Sequence, residues 1–192
     1  MIWDEFTCLE IAKVDKKTPV VLVMAANEQH GPHLPFATDR LIGEHFVISL
    51  NKSIPDKVLV LPHIAVGCSE HHIGFLGSLT RSHNTFINQV KDIVSSILKH
   101  GFTNTILLNN HGENQDVWQV LVEKLGSTYK NLNIVLATRW KFGGNDLTAL
   151  NEIGPMNTVH AGEFEESLIM LIAPELVRMD KLEKGKFVNV YK

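Results

Sequence analysis

The stretch that decides the fold is PVVLVMAANEQHGPHLPFATD, residues 19–39. Residues 19–26 are apolar at nearly every position, which is typical of a β-strand covered on both faces of a sheet. Residues 40–50 follow with the apolar spacing of a helix, capped by Thr38 or Asp39. A loop between a strand and a helix, at the carboxyl end of a parallel sheet, commonly carries the site in α/β proteins. We therefore expect a functional site in residues 27–39.

This loop contains three side chains that are suited to binding a metal. Glu28, His30 and Asp39 offer carboxylate and imidazole ligands of the kind that hold Zn²⁺ or Mn²⁺. Three further residues stiffen the loop and fix the directions of these side chains: Gly31, Pro32 and Pro35. Loops of this composition are often merely solvated, so the interpretation depends on further ligands elsewhere in the chain.

The remaining chain alternates predicted strands and helices. Strands are predicted at residues 57–66, 104–109 and 132–138, and helices at 7–13, 83–100 and 160–173, with another after residue 114. Pro62 predicts that the second strand lies at an edge of the sheet or ends there. Residues 139–159 show little periodicity and are expected to be irregular. The alternation implies β-α-β units and a parallel, doubly wound sheet, which is an α/β fold.

Composition and charge exclude several classes of protein. The chain has 192 residues, 44% of them hydrophobic, and a formal net charge of −3. It has no basic block that would favour nucleic acid, and no apolar run approaches the length of a membrane span. The two cysteines are far apart, so disulfides and a zinc ribbon are not expected. Without a recognisable signal peptide, the sequence predicts a cytoplasmic enzyme or binding protein with a single domain, residues 1–192.

A second polar loop follows the third predicted strand and carries His111 and Glu113. Residues two apart in an extended loop lie on the same side, and parallel strands bring their carboxyl ends to one edge of the sheet. These two residues are therefore expected to meet Glu28, His30 and Asp39. Two imidazoles and three carboxylates are too many for one tetrahedral zinc, and they suit two metals that share one carboxylate.

Three motifs resemble those of the creatininase (creatinine amidohydrolase) family. The first is Glu-Gln-His-Gly-Pro-His-Leu-Pro at residues 28–35, with Thr-Asp at 38–39, and the second is Asn-His-Gly-Glu-Asn at 110–114. The third is His-Ala-Gly at 160–162, followed by Glu165 and Ser167. The motifs occur in the order found in the family and span most of the chain, so the resemblance is specific.

The resemblance implies a fold, a cofactor and a reaction. The fold would have three layers, α/β/α, around a mostly parallel sheet, and the cofactor would be two divalent ions, zinc and/or manganese. The reaction would be hydrolysis of an amide, lactam or formamide C–N bond in a small molecule, by a water that bridges the metals. Family enzymes are commonly hexamers, so a homo-oligomer is expected.

The resemblance also implies how the ligands divide between the metals. Glu28 and His111 would bind one ion, and His30 and Glu113 would bind the other. Asp39 would lie between the two ions and contact both.

Proton transfer is assigned by the resemblance to His160. An imidazole has a pKa in the range that lets it supply a proton to a departing nitrogen at neutral pH. Glu165 would be its acid–base partner, and Glu113 is expected to serve in catalysis as well as in metal binding.

The chain departs from creatininase in residues that are expected to contact the substrate. Gly112 lies where creatininase has a tyrosine, and residues 155–159 replace a segment that contains a tryptophan. A flat cyclic guanidine such as creatinine is best held between aromatic faces, and Trp140 is the only indole in this region. Asn157 instead suits a polar amide, a formamide or a hydroxylated ring, and Gly112 leaves room for a larger group. Creatinine is therefore not expected to be the preferred substrate.

Several alternatives remain open at the level of sequence. The main one is a non-catalytic metal- or ligand-binding member of the same fold. His71 and His72 lie in a long loop, residues 67–80, and are equally expected to line a pocket or to be solvated. His33 lies between two prolines and is expected to order its loop, and Cys68 is expected to be buried and inert.

Overall fold

A parallel sheet of four strands lies at the centre of the structure, a computed structural model that describes residues 1–143, 146, 149–150 and 159–183. The strands are β1 (Val20–Met24), β2 (Leu59–Val60), β3 (Asn104–Asn109) and β4 (Asn133–Thr138). Their order across the sheet is β2-β1-β3-β4, and every pairing is parallel. Because β1 and β3 are neighbours, the loops that follow them leave from the same edge of the sheet.

Helices cover both faces of this sheet. They are α1 (Cys8–Lys13), α2 (Thr38–Ser53), α3 (His83–Lys99), α4 (Trp118–Thr128) and α5 (Glu163–Ile172). Val20, Leu22 and Met24 pack with α3 and α4 on one face, whereas Val21 and Val23 pack with α2 on the other. Alternate side chains of a strand point to opposite faces, so the unbroken apolar run of β1 serves two cores. The expected three-layer α/β/α fold with a parallel sheet is confirmed.

Short 3-10 helices occur in the connections between these elements. They are Trp3–Glu5, Glu70–His72, Glu113–Val117, Arg139–Lys141, Pro174–Leu176 and Met179–Lys181. Three of them, Glu70–His72, Glu113–Val117 and Arg139–Lys141, carry side chains of the candidate site. Among the described residues, no helix is both long and apolar enough to cross a membrane.

Gly43 allows α2 to pack directly on β1. A Cβ atom at this position would lie 2.7 Å from Val23 Cγ1, well inside the optimal separation of about 3.5–4.0 Å for carbon atoms. The absence of a side chain therefore lets α2, whose first turn carries Asp39, lie against the central strand. The position of Asp39 at the carboxyl ends of the strands depends on this close contact.

The N-cap of α2 and the length of β2 differ from the sequence prediction. Helix α2 begins at Thr38 and its N-cap is Ala37, so neither Thr38 nor Asp39 caps it. The Thr38 hydroxyl donates to Pro35 O at 2.7 Å, and the Asp39 carboxylate lies in the site instead. Strand β2 pairs over two residues only and lies at an edge, as expected near Pro62, which has no N–H to donate to a neighbouring strand.

Candidate metal centre

Asp39 lies between two histidines at the centre of a buried polar cluster. Its Oδ1 is 3.4 Å from His30 Nε2, and its Oδ2 is 2.9 Å from His111 Nδ1. All three residues are at most 3% exposed. The His30 Nδ1–H donates to Glu28 O at 3.1 Å, which fixes the ring so that Nε2 faces Asp39. The structure thus places Asp39 in contact with both imidazoles, as a shared carboxylate requires.

Glu28 follows β1 and is fully buried. Its Oε1 is 3.3 Å from His160 Nδ1 and 3.6 Å from His111 Nδ1, and its Oε2 is 3.2 Å from His72 Nδ1. Among the described residues, neither carboxylate oxygen has a hydrogen-bond partner, and the same holds for His30 Nε2. Burial of a carboxylate without hydrogen bonds is costly. A divalent cation would satisfy these atoms, so the residues fit the metal ligands that the sequence predicts.

Glu113 lies on the other side of the His111 ring. Its Oε2 is 3.1 Å from His111 Nε2, and its Oε1 is 2.8 Å from His71 Nε2. The expectation of an extended loop here is wrong, because Gly112 has helical backbone angles (φ −55°, ψ −57°) and Glu113 begins a 3-10 helix. This turn brings Glu113 to His71, and the described residues do not group Glu113 with His30 as a ligand set.

Glu165, on α5, lies beside His30 instead. Its Oε2 is 3.6 Å from His30 Nε2 and accepts a hydrogen bond from Ala161 N–H at 2.8 Å. Burial raises the pKa of the Glu165 carboxyl, although His30 acts in the opposite direction. Within the described residues, four sets have ligand atoms within 4.8 Å of one another: Glu28-Asp39-His111, His30-His160-Glu165, Glu28-His72-His160 and Glu28-His71-Glu113.

Opposite charges in the cluster stabilise each other. Burial raises the pKa of Glu28, but His72 and His111 outweigh burial and lower this pKa to about 2. Burial also opposes ionisation of Asp39, yet His30 and His111 hold its pKa well below the ordinary value. For the two rings, burial lowers the pKa, but Asp39 outweighs it and raises the pKa of His30 to about 9 and that of His111 to about 10. The cluster therefore stabilises ionised carboxylates, which is the form that binds a cation.

His160 lies at the more open side of the cluster. Its Nε2 is 2.6 Å from Gln29 O. Because a carbonyl can only accept, Nε2 carries the proton of the neutral ring and Nδ1, which faces Glu28, keeps its lone pair. Burial and then the neighbouring His30 lower the pKa of His160 to about 4. At pH 7 the ring is therefore neutral, and its unprotonated Nδ1 faces the cluster.

The two adjacent histidines of residues 67–80 line this site. His72 is buried, and its ring centroid lies 4.4 Å from that of His160 and 4.0 Å from that of His71. His71 in turn contacts Glu113. Of the two alternatives left open by the sequence, the structure therefore supports lining of the pocket rather than solvation.

Asn114 holds this loop against the end of β1. Its Oδ1 accepts from Cys68 N at 3.0 Å, and its Nδ2 donates to Ala25 O at 3.4 Å. A Cβ atom at Gly67 would lie 2.5 Å from Ala25 O and 2.6 Å from Asn114 Oδ1, so only glycine fits there. These contacts fix the start of the loop that carries both histidines.

His33 and Cys68, which the sequence did not assign as metal ligands, are both buried. The carbonyl of His33 accepts from Arg178 N at 2.8 Å, and its Nε2 lies 3.7 Å from Glu166 Oε2. These contacts order the first loop, as expected. Burial raises the pKa of the Cys68 thiol to about 11, so this cysteine is a poor nucleophile at neutral pH.

Arg139 is a site residue that the sequence did not indicate, because it lies in a stretch without periodicity. It is 6% exposed, and its Nε donates to Asn110 Oδ1, while Asn110 Nδ2 donates to Asp39 O. The guanidinium carbon lies 4.9 Å from the ring centroid of Phe164 and 5.7 Å from that of Trp140. Arg139 is thus linked to the predicted site through motif residue Asn110 and through its charge interactions with Asp39 and Glu165.

A cavity of about 150 Å³ opens onto the charged residues of the cluster. Its walls include Gly112, Arg139, Trp140 and Phe164. A Cβ atom at Gly112 would meet no atom of the described residues within 4 Å, so within them this position is open, as expected. The predicted substrate contacts at residues 155–158, among them Asn157, lie outside the described residues.

Comparisons with curated proteins identify relatives that are hydrolases by name. The chain is 26% identical over 180 residues to a creatinine amidohydrolase of Pseudomonas putida, covering 85% of this chain and 67% of that protein. It is 23% identical over 168 residues to a 3-dehydro-scyllo-inosose hydrolase of Thermotoga maritima, covering 84% and 52%. It is 29% identical over 175 residues to a mycofactocin precursor peptide peptidase of Mycolicibacterium smegmatis, covering 87% and 63%. The chain thus spans about half to two thirds of the length of these relatives.

Solved structures and a family model give the same result. A creatinine amidohydrolase (creatininase) structure superimposes with a TM-score of 0.82 at 24% identity, covering 98% of this chain and 79% of that one. A putative creatinine amidohydrolase from Bacteroides fragilis gives a TM-score of 0.78 at 26% identity, covering 94% and 71%. The family model described as "Creatininase: Creatinine amidohydrolase" matches residues 4–191. With its three motifs gathered at one sheet edge, the chain belongs to the creatininase family.

Proposed function

We propose that this protein is a metal-dependent amidohydrolase that cleaves a C–N bond in a small-molecule amide, lactam or formamide. The observation that carries the proposal is the buried Glu28 carboxylate. Its oxygens face three imidazole rings and have no hydrogen-bond partner in the part of the chain that the structure describes. Such a donor set is suited to a divalent cation. The creatinine amidohydrolase and the peptidase among the relatives support C–N hydrolysis as the reaction.

We propose that Glu28, His30, Asp39, His111 and Glu113 hold two divalent ions, zinc and/or manganese. The position of Asp39 between His30 and His111 supports a shared carboxylate. Similar solved structures include one named as a Zn-Zn form and one named as a manganese form of creatininase. When bound, two such ions supply an activated water and polarise a carbonyl group.

The residues of the chain itself would orient and move protons. His160 Nδ1, which lies 3.3 Å from Glu28 Oε1, would accept the proton released by the attacking water and deliver it to the leaving nitrogen. The Glu165 carboxyl, whose pKa is raised, lies next to His30 and in one group with His160, and it would act as the acid–base partner of His160. Glu113 contacts both His71 and His111, which orients these rings in addition to its proposed role as a ligand.

The alternative is a metal-binding protein without turnover. A structural metal site normally closes its coordination shell and needs no neighbouring base. Here His160 is neutral, partly exposed and open to a cavity that also contains Trp140 and Phe164. These features favour catalysis.

A substrate screen tests the proposed activity. Protein loaded with zinc or manganese should hydrolyse members of a panel of formamides, lactams and short peptides, and should lose activity after chelation. Creatinine should be a weak substrate, with kcat/KM below the ordinary enzyme range of about 10⁴ M⁻¹s⁻¹. Stoichiometric metal with no turnover across the panel would support the non-catalytic alternative instead.

We further propose that residues 1–192 act as one catalytic domain in a cytoplasmic homo-oligomer, with a hexamer as the expected form. The family match over residues 4–191 supports the first point. Several large apolar side chains are exposed, including Leu76 and Leu171, and burying them would favour association. Light scattering on the purified protein would contradict this proposal if it found a monomer at micromolar concentration.

A further inference from the structure

The Arg139 guanidinium is a buried cation at the wall of the polar cavity. Within the described residues, its Nε is bound to Asn110. No carboxylate there forms a direct ion pair with the guanidinium, although Glu165 and Asp39 act on its charge. The rings of Phe164 and Trp140 flank it, at 4.9 Å and 5.7 Å from the guanidinium carbon. These contacts hold the planar group in place at the wall of the cavity.

Charge balance at the proposed site leaves Arg139 in excess. Four carboxylates lie in the cluster, those of Glu28, Asp39, Glu113 and Glu165. They would balance the two proposed divalent ions, so the Arg139 guanidinium would remain as an additional positive charge. Without metal, Glu165 and Asp39 offset part of the Arg139 charge. Once these carboxylates bind the ions, the buried guanidinium would lack a counter-ion, which is costly, and an anionic group in the cavity would remove this cost.

We propose that Arg139 binds a carboxylate of the substrate, so that the substrate is an amide that carries a carboxylate a short distance from the scissile C–N bond. This inference rests on the proposed function and names its substrate class. The planar fork of a guanidinium matches the two oxygens of a carboxylate. The cavity of about 150 Å³ suits a compact acid of this kind, with its carboxylate at Arg139 and its amide near His160.

A matched pair of probes tests the proposal. N-formylglycine and N-formylglycinamide share the same formamide bond and differ in the presence of the carboxylate. Calorimetric titration of the zinc-loaded protein should show at least about tenfold tighter binding of the acid, the usual effect of a charge-assisted hydrogen bond. Equal affinities for the two probes would overturn the proposal.

Three variants test whether Arg139 or another group causes the preference for the acid over its amide. In Arg139→Gln the preference for the acid should fall to near unity, and Arg139→Lys should retain part of it, since it keeps the charge but loses the fork. Arg40→Gln is the matched control, because Arg40 pairs with Glu44 outside the cavity. Thermal unfolding verifies that each variant is folded. An undiminished preference in Arg139→Gln would show that the carboxylate binds elsewhere, for example to the metals, and would refute the assignment.

Two further readouts identify the anion and separate this inference from the proposed function. Tighter binding of inorganic phosphate than of N-formylglycine, lost in Arg139→Gln, would overturn the carboxylate assignment. Arg139-dependent binding of the acid without hydrolysis of any amide would support the inference and contradict the proposed function. Equal kcat/KM for the acid and its amide would retain the proposed function and contradict the inference.

Discussion

Asp39 Oδ2 lies 2.9 Å from His111 Nδ1. The two residues come from different elements, Asp39 from the first turn of α2 and His111 from the loop after β3. The other oxygen of Asp39 faces His30. One short side chain therefore connects two ligand sets that are otherwise supplied by separate loops. Changes at Asp39 should affect both metal positions at once.

Asp39→Ala tests this coupling. We expect wild-type protein to retain about two divalent ions per chain and Asp39→Ala to lose both, because the shared carboxylate is removed. Elemental analysis after dialysis measures the content. Glu44→Gln is the control, since Glu44 lies on the same helix and pairs with Arg40 and His63 outside the cluster. Two ions retained in Asp39→Ala, or in the double variant with His111→Ala, would contradict the assignment.

His160→Ala should separate metal binding from turnover. The variant should keep its metal, and the turnover number should fall by roughly 10²–10⁴-fold, the usual contribution of a general acid or base. Steady-state assays with parallel metal analysis measure both quantities. His83→Gln, at the exposed start of α3, should leave both unchanged. Normal turnover in metal-loaded His160→Ala would transfer the proton-carrying role to Glu165 or to another group.

His72→Leu should weaken metal binding without changing the number of sites. His72 Nδ1 lies 3.2 Å from Glu28 Oε2, and loss of a residue that orients a ligand typically costs about 10–100-fold in metal affinity. Competition with a chelator of known affinity measures the change. His63→Leu is the control, because His63 contacts Glu44 on the surface of α2. Unaltered metal affinity in His72→Leu would show that His72 does not orient Glu28.

The stability of chelator-treated protein should fall as the pH rises from 6.5 to 10. The folded state raises the pKa of His30 to about 9 and that of His111 to about 10, from an ordinary value of 6.5. A raised pKa stabilises the fold fully below pH 6.5, and this stabilisation is lost as the pH passes the folded-state values. His160, whose pKa is lowered to about 4, is neutral in the folded state over this range. Its imidazole loses its proton near pH 6.5 in the unfolded state, so it opposes the decrease only at the lower end of the range.

Thermal unfolding with and without metal tests this pH dependence. The midpoint of the chelated protein should decrease towards pH 10, whereas that of the zinc-loaded protein should change less, since metal binds the deprotonated rings. The double variant His30→Gln with His111→Gln should lose most of the decrease. A midpoint that rises over this range in chelated wild-type protein would contradict the assigned pKa directions.

Gly112→Tyr should narrow the cavity without disturbing the fold. Gly112 has helical angles that any residue can adopt, and open space lies around its Cα. The unfolding midpoint and metal content should therefore stay close to wild type, while kcat/KM should fall most for the largest substrates. Gly126→Ala on α4, which also has open space, controls for the loss of a glycine. Unchanged substrate preference would show that this side of the cavity does not contact the substrate.

The sheet and the position of the site were predictable because they depend on local patterns. The apolar run of β1 and the polar residues that follow it are adjacent in sequence, and parallel pairing with β3 brings Asp39 and His111 to one edge. The surroundings of Glu113 were not predictable, because they depend on the helical backbone at Gly112. Arg139 was also missed, since its burial depends on Phe164 and on other segments distant in sequence.

The contacts of Gly67 and Asn114 with the end of β1 anchor the base of the loop, residues 67–72. The tip of the loop, residues 74–76, is exposed. The base carries His71 and His72, and the side chain of Asn114 joins the base to Ala25 at the end of β1. At the tip, a Cβ atom added to Gly74 would meet no described atom within 4 Å, and Leu76 is 97% exposed. A longer segment could therefore be inserted between Gly74 and Leu76 to change substrate specificity while His71 and His72 keep their positions.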